Sequence, residues 1–333
     1  MTSPKLRHTA LSLPQQRRLF PIRSILFADA SASIMFDLLP GEIVLEILRV
    51  AAENMVATDR RSVVALAQTA SFVYSAVAPV LYRRVVVTQE NESGISFLLL
   101  NADTCALVRD LTVIWYNWTP EKEIVSNFTG LKSICGVDGR VQFILNHLHS
   151  DSKQSLRMIQ SWGFELLDNV PAGVTHVCLY EEDRYRSPML SGLFECIKQF
   201  PSITHLGLDM VLHTEHMFDL DNDTATYEAE RRRFAQAVSH QLLDVVTAGG
   251  TRILQLAIRI GGIMADGAPW RAMIEALYER AGDLGIDQRI RFWRDQRRIE
   301  DFDDDVRASV EDAYNGYDVW TEATHVPALS NLD

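Results

Sequence analysis

Three stretches space their residues in ways that chemistry could use. "DLDNDTATYEAE" sets Asp219, Asp221, Asp223 and Glu230 at loop positions one, three, five and twelve of a calcium-binding EF-hand. The sharp turn at position six needs glycine and finds Thr224, and position eight holds Thr226 in place of an aliphatic side chain, so the stretch reads as an acidic loop leading into a helix. His213 and His216 flank Glu215, with His205 upstream, but neither a cysteine pair nor an H-E-x-x-H frame accompanies them, and no zinc site is expected. "IRIGGIMADGAPWR" puts Gly261, Gly262 and Gly267 between a strand and a helix, where a phosphate loop would lie. It lacks the lysine followed by serine or threonine that grips phosphate, which leaves a glycine-rich turn. No G-x-S-x-G, kinase or dinucleotide fingerprint occurs. The reading is of a chain without catalytic residues, metal or cofactor, and not an enzyme.

Composition agrees with a binding role. The 333 residues are 47% hydrophobic, enough for a large core, and the length suits one big domain or two unequal ones. The formal charge of −12 argues against nucleic acid, which needs a concentrated basic surface. Cys105, Cys135, Cys178 and Cys196 have no C-x-x-C spacing and are too sparse to staple the chain, so a reducing compartment is expected. The sequons at Asn91, Asn117, Asn127 and Asn222 read as chance, since no amino-terminal apolar stretch directs secretion. No apolar run is long enough to span a membrane.

Residues 1–34 stand apart. Lys5, Arg7, Arg17, Arg18 and Arg23 occur with no acidic residue before Asp29, the composition of a mitochondrial transit peptide. No clear amphipathic helix accompanies it, so the expectation is a disordered tail, or a start at Met35, on a cytoplasmic or nuclear protein.

The elements begin with "FDLLPGEIVLEIL". Leu39-Pro40-Gly41-Glu42 is a helix start, with proline tolerated in the first turn and Glu42 facing the positive end of the helix dipole. Ile43, Ile47 and Val50, with Val44 and Leu48 beside them, then form one wide apolar face. "RRSVVALAQTA" gives a second helix with Val64, Leu66 and Ala67 inward, and "SFVYSAVAPVLYRRVVV" a third, starting at Ser71 and ending near Pro79. Three short helices make a poor core, so part of this apolar surface should meet another protein.

L-P-x-E-[IV]-x-x-x-I-L followed by a leucine-containing helix and "YSAVAPVLYRRVVV" resembles the F-box, over residues 36 to about 87. The likeness is closest to the F-box-like proteins abundant in mushroom-forming fungi, in which a phrase like A-P-x-L-Y-R introduces the first strand after the box. It implies docking on the Skp-type adaptor, and through it on the cullin core, of an SCF-type ubiquitin ligase. The implied adaptor-binding positions are Leu39, Pro40, Ile43, Ile47 and Leu48 in the first helix, with Leu66, Ala67 and Phe72 further on. The chain departs from the pattern in a longer inter-helix segment, "RVAAENMVATDRR", and in "TASFVY" at the end of the second helix.

Beyond the box, strand-like phrases recur: "VRDLTVIW", "LKSICGV", "SLRMIQSW", "VTHVCLYE", "ITHLGLDM", "RILQLAIRI" and "QRIRFW". Helical stretches lie between several, among them "PMLSGLFECIKQF", "YEAERRRFAQAVSHQLLDVVTAGG" and "PWRAMIEALYERAG". "VTHVCLYE" and "ITHLGLDM" are near copies 29 residues apart (203 − 174), and they place His176 and His205 at equivalent, structural positions. The expected fold is α/β: an F-box-like helical segment followed by a degenerate leucine-rich-repeat-like solenoid with a parallel sheet, with a doubly wound α/β sheet as the alternative.

At the carboxyl end, Glu300, Asp301, Asp303, Asp304, Asp305, Glu311 and Asp312 crowd into a solvated acidic stretch, while Phe302, Val306, Val310, Tyr314 and Trp320 anchor it. A docked acidic cap on the last repeat is expected. The domains are therefore 1–34 tail, 35–87 F-box-like, 88–295 repeat-like and 296–333 cap. The expected function is a substrate receptor of an SCF-type ligase, with an unidentified protein target and neither nucleic acid nor membrane as partner. The alternative is an interaction scaffold whose F-box-like region is packed internally. Pro40, Ile43 and Ile47 should be partly exposed in the first case and covered in the second.

Overall fold

The computed structural model describes residues 39–115, 117–137, 139–162, 170–183, 200–212, 224–247, 253–261 and 268–294, and positions 307, 308, 311–313, 315, 317 and 319–323. The 1–34 tail, the helix at 188–200, the EF-hand-like aspartates and the His213–His216 stretch lie outside these residues, as do Gly262 and Gly267 and most of the acidic run. The chain divides into two compact units, Met1–Leu48 and Arg49–Asp333, with the division inside the first described helix.

That helix is α1, Gly41–Met55. The Pro40 carbonyl accepts from the Ile43 and Val44 amides and opens it. Helix α2, Arg60–Ala67, begins on an Asp59 cap that accepts from the Ser62 amide at 3.1 Å, and the Ser62 hydroxyl, with that amide, holds the Asp59 carboxyl below its usual range. Val63 and Ala67, one turn apart, form its buried stripe; Ala67 is inward as expected, whereas Val64 is exposed and Leu66 half-buried. Helix α3, Ser71–Leu81, runs through Pro79 instead of stopping there. Proline's fixed φ is helical, and burial of Val77, Ala78, Val80 and Leu81 holds the last turn against the local preference for a break. Arg60 donates to the Leu81 carbonyl at 2.8 Å and ties the start of α2 to the end of α3.

The remaining elements in chain order are β1 Arg84–Val87, α4 Glu92–Leu99, α5 Ala102–Leu107, β2 Asp110–Val113, α6 Lys122–Ser126, β3 Ser133–Val137, α7 Arg140–His147, α8 Ser150–Ser155 and β4 Met158–Trp162. Then come β5 His176–Asp183, β6 His205–Leu212, α9 Thr224–Thr247, β7 Gln255–Gly261, α10 Ala268–Asp283, β8 Ile290–Arg294 and α11 Val319–Glu322. Each strand-like phrase of the sequence falls on a strand.

The eight described strands make a single parallel sheet in the order β1-β2-β3-β4-β5-β6-β7-β8. The order never reverses, so the sheet has no switch point of the kind that defines a doubly wound fold. Strand β1 pairs with β2 from Arg84↔Asp110 to Val87↔Val113 and so belongs to the sheet, not to a helical domain ending at residue 87.

The register produces the core. Val85, Leu111, Ile134, Ile159, Val177, Leu206, Leu256 and Ile290 fall opposite one another across all eight strands, and each is buried. Each such side chain contributes about 1.5–3 kcal/mol by leaving water. Leu99, Ile124, Val125, Ile144, Leu145, Leu242, Val246, Ile274 and Leu277, from α4, α6, α7, α9 and α10, cover this face in the same cluster.

The strand starts repeat a hydrogen-bond motif. The Arg83 carbonyl accepts from the Arg109 and Asp110 amides, that of Arg109 from Lys132 and Ser133, that of Lys132 from Arg157 and Met158, and that of Arg157 from Thr175 and His176. Thr175 and Thr204 continue it into β6 and β7. Each step from β1 to β7 thereby satisfies two amides on one carbonyl of the preceding strand's start.

Candidate functional site

Two surfaces can bind. The first, in the first unit, is the exposed apolar stripe at the start of α1. Leu39, Pro40, Ile43 and Ile47 are all exposed, Ile43 at 47% and Ile47 at 40%, and Leu48 is half-buried. The spacing of Ile43 and Ile47 puts both on one stripe of α1. In the second unit Phe72, near the start of α3, is 59% exposed. Leu66 is half-buried and Ala67 is buried at 4%, because α2 turns that stripe against α3. Ala67 is thus a packing position and offers no surface to an adaptor.

The second surface is the polar face of the sheet, opposite the helices. Its first register row is Arg84, Asp110, Ser133, Met158, His176, His205 and Gln255, and its second is Val86, Thr112, Cys135, Gln160, Cys178, Gly207, Ala257 and Arg291. Alternation along each strand sends these side chains away from the apolar rows. At β1–β3 the row pairs with itself: Arg84 lies 3.7 Å from Asp110, which also accepts from the Ser133 hydroxyl at 2.7 Å.

Over β5–β7 the same face is covered by the carboxyl-terminal segment. Val319 and Ala323 cluster with Cys178 and Ala257, and Trp293 and Trp320 pack against them. Gly207 lets the Val319 and Trp320 side chains approach the strand: a Cβ there would lie 2.8 Å from Val319 Cγ1 and 2.9 Å from Cys178 Sγ. His176 and His205 stack with ring centroids 4.0 Å apart and planes 13° apart, and the Trp320 ring lies nearly perpendicular to both, at 5.3 and 5.7 Å. The Nδ1 atoms meet the Thr175 and Thr204 hydroxyls at 2.9 and 2.8 Å. Burial lowers the His205 pKa. Four residues further along β7 than Gln255, Arg259, 3% exposed, lies 3.6 Å from Asp312 and sits over the Trp293 ring.

Asp312 is therefore a buried ion-pair partner, not part of a solvated acidic face. The described end of the chain lies on the sheet face over β5–β7, where the sequence reading had it closing the last repeat. No local pattern signals the Arg259–Asp312 pair, since its partners are brought together only by the fold.

Between this segment and β1–β4 lies a cleft of about 120 Å³ lined by Arg84, Asp110, Ser133, Gln160, Asp312 and Tyr317, among others. Asp110 there is engaged by the Arg84 guanidinium and by the Ser133 hydroxyl, an arrangement that suits polar contacts. Cys105, the most buried thiol among the described residues, donates to the Leu99 carbonyl, and burial pushes its pKa up to about 11, which suits a packing residue. Among the described residues no cluster of three metal-ligating side chains occurs, and no helix is long and apolar enough to cross a membrane. No protein-family model matches the sequence, and no curated protein does.

Proposed function

We propose that this chain is a non-catalytic substrate receptor of an SCF-type ubiquitin ligase. Its F-box-like helices dock on the Skp-type adaptor, and its sheet, read as a degenerate leucine-rich-repeat-like solenoid, presents a surface to a protein target. The observation that carries the reading is the exposure of Pro40, Ile43 and Ile47 on the helix whose sequence resembles the F-box. An internally packed scaffold element would cover that stripe, because burial of such side chains is worth a few kcal/mol. The solenoid reading is supported by the unbroken strand order and by the repeated two-amide motif at the strand starts. Ubiquitin transfer belongs to other subunits, so the contribution of this chain is proximity.

The test is co-purification of the full chain with the Skp-type adaptor, beside a Pro40→Ala, Ile43→Asp double variant. Retention of the parent and loss of an equally folded variant is the expected result. A folded parent that does not bind leaves the non-ligase interaction scaffold as the reading.

A further inference from the structure

The residues that immediately precede β1, β2, β3 and β4 are all basic: Arg83, Arg109, Lys132 and Arg157. The two-amide motif sets their backbones side by side, each carbonyl accepting from the amide of the next. We propose that this row is a docking surface for a short acidic segment of a partner protein, one that offers Asp or Glu side chains along an extended chain. This inference does not depend on the adaptor reading.

The row carries more positive charge than its surroundings balance, in a chain whose formal net charge is −12. Asp110 lies 4.0 Å from Arg83 and 3.7 Å from Arg84, and so serves two guanidinium groups at once. Among the described residues no carboxylate comes within ion-pair distance of Arg109, Lys132 or Arg157. Arg83, Lys132 and Arg157 are exposed and Arg109 is half-buried, so solvent reaches the row.

Two of the four cations are held in place. Arg109 donates to the Ala106 carbonyl and Arg157 to those of Gln154 and Gly173, and all of these bonds run from Nη1. The other two nitrogens of each guanidinium make no hydrogen bond with a described residue. A carboxylate arriving there meets fixed donors and little further side-chain ordering is needed.

Spacing sets the size of the occupant. Adjacent strands lie about 4.8 Å apart, so the four positions span about 14 Å, the length of roughly four to five residues of extended chain. Like charges so placed repel, and an anionic segment laid along them relieves the repulsion. The charge stops after four strands, because the next residues in the motif are Thr175 and Thr204. A nucleic-acid strand would carry its phosphates past the row and along a chain of net negative charge, whereas a short acidic segment ends where the row ends.

The experiment is fluorescence anisotropy of the full chain with labelled hexaglutamate, beside an uncharged serine hexapeptide and a thymidine hexanucleotide. Salt is held at about 0.1 M, where charges further apart than about 10 Å are largely screened. Parent, Lys132→Glu, Lys132→Gln and an Arg83→Glu/Lys132→Glu double variant are compared. Arg289→Glu is the charge-matched control, since Arg289 precedes β8, four strand spacings or about 19 Å beyond Arg157. Lys132 is exposed and makes no side-chain hydrogen bond with a described residue, so its variants keep the fold, which urea unfolding verifies.

The expected result is binding of hexaglutamate by the parent, weakened roughly fivefold or more by Lys132→Glu, less by Lys132→Gln, and abolished in the double variant. Arg289→Glu stays within about twofold of the parent. Hexaglutamate binding no stronger than that of the serine peptide overturns the proposal. Equal weakening by Lys132→Glu and Arg289→Glu overturns it too, because the attraction would then follow net charge and not the row. Tighter binding of the hexanucleotide, lost in Lys132→Glu, overturns the assignment to an acidic protein segment and gives the row to nucleic acid.

Discussion

The guanidinium of Arg109 occupies the space that a side chain on Gly130 would need. A Cβ at Gly130 would overlap Arg109 Nη1 and lie 2.9 Å from the Ala106 carbonyl, to which that same nitrogen donates at 2.8 Å. Arg157 and Gly173 repeat the arrangement one repeat pair later. Arg157 Nη1 donates to the Gln154 and Gly173 carbonyls at 3.0 Å each, and a Cβ on Gly173 would lie 2.7 Å from the Gln154 oxygen. In both, an arginine before a strand caps the carbonyl three residues back and a glycine of the next repeat makes room for it.

Gly130→Ala and Gly173→Ala should therefore destabilise the sheet by about 1–3 kcal/mol each, as overpacking does. Gly173→Ala should cost more, because it meets two backbone carbonyls and a backbone cannot swing aside. Urea unfolding checks this; a change under about 0.5 kcal/mol for both would mean the interlock is loose.

Ala67 and Phe72 should separate packing from binding. Ala67→Leu is expected to lose about 1–3 kcal/mol of stability, because the α2–α3 contact is filled. Phe72→Ala should stay within about 0.5 kcal/mol of the parent in unfolding while weakening adaptor capture, since its ring is mostly in solvent. Loss of stability without change in capture would reassign Phe72 to the core.

Removing one partner of the Arg259–Asp312 pair should matter more than removing both. Asp312→Leu removes the ion-pair partner of the buried Arg259, a loss of about 3 kcal/mol that should appear first as exposure of residues 307–323 to protease. Arg259→Met combined with Asp312→Leu should restore most of it, as replacement of buried pairs by apolar residues often does. A double variant as labile as the single one would show that the charges, not the packing, hold the segment.

Cys105 should resist alkylation. With its pKa raised to about 11 by burial, its thiolate is scarce at pH 8, and iodoacetamide labelling should be slower in the folded chain than in urea by on the order of a hundredfold. Peptide mapping gives the rate for each cysteine, and labelling of Cys105 at the unfolded rate would mean the Leu99–Cys105 region opens freely.

Seven of the eight described strands, β2 to β8, the helix over residues 41–55 and the two long helices were legible in the sequence, because β-branched runs, 3.6-residue apolar spacing and flanking proline and glycine are local signals. The equivalence of His176 and His205 was legible too, since near copies in a repeat occupy the same register. Local patterns do not carry the sheet's direction of growth, which depends on how each crossover packs against its neighbour; only the tertiary structure shows strands adding in one unbroken order and β1 joining them. The choice of Val63 over Val64 and the passage of α3 through Pro79 were decided by which stripe the neighbouring helix buries. The docking of Asp312 on Arg259 and of Trp320 on the histidine stack joins residues far apart in the chain. Composition alone made that segment acidic and solvated, and the fold alone supplied a cation and a trough of small residues for it to lie in.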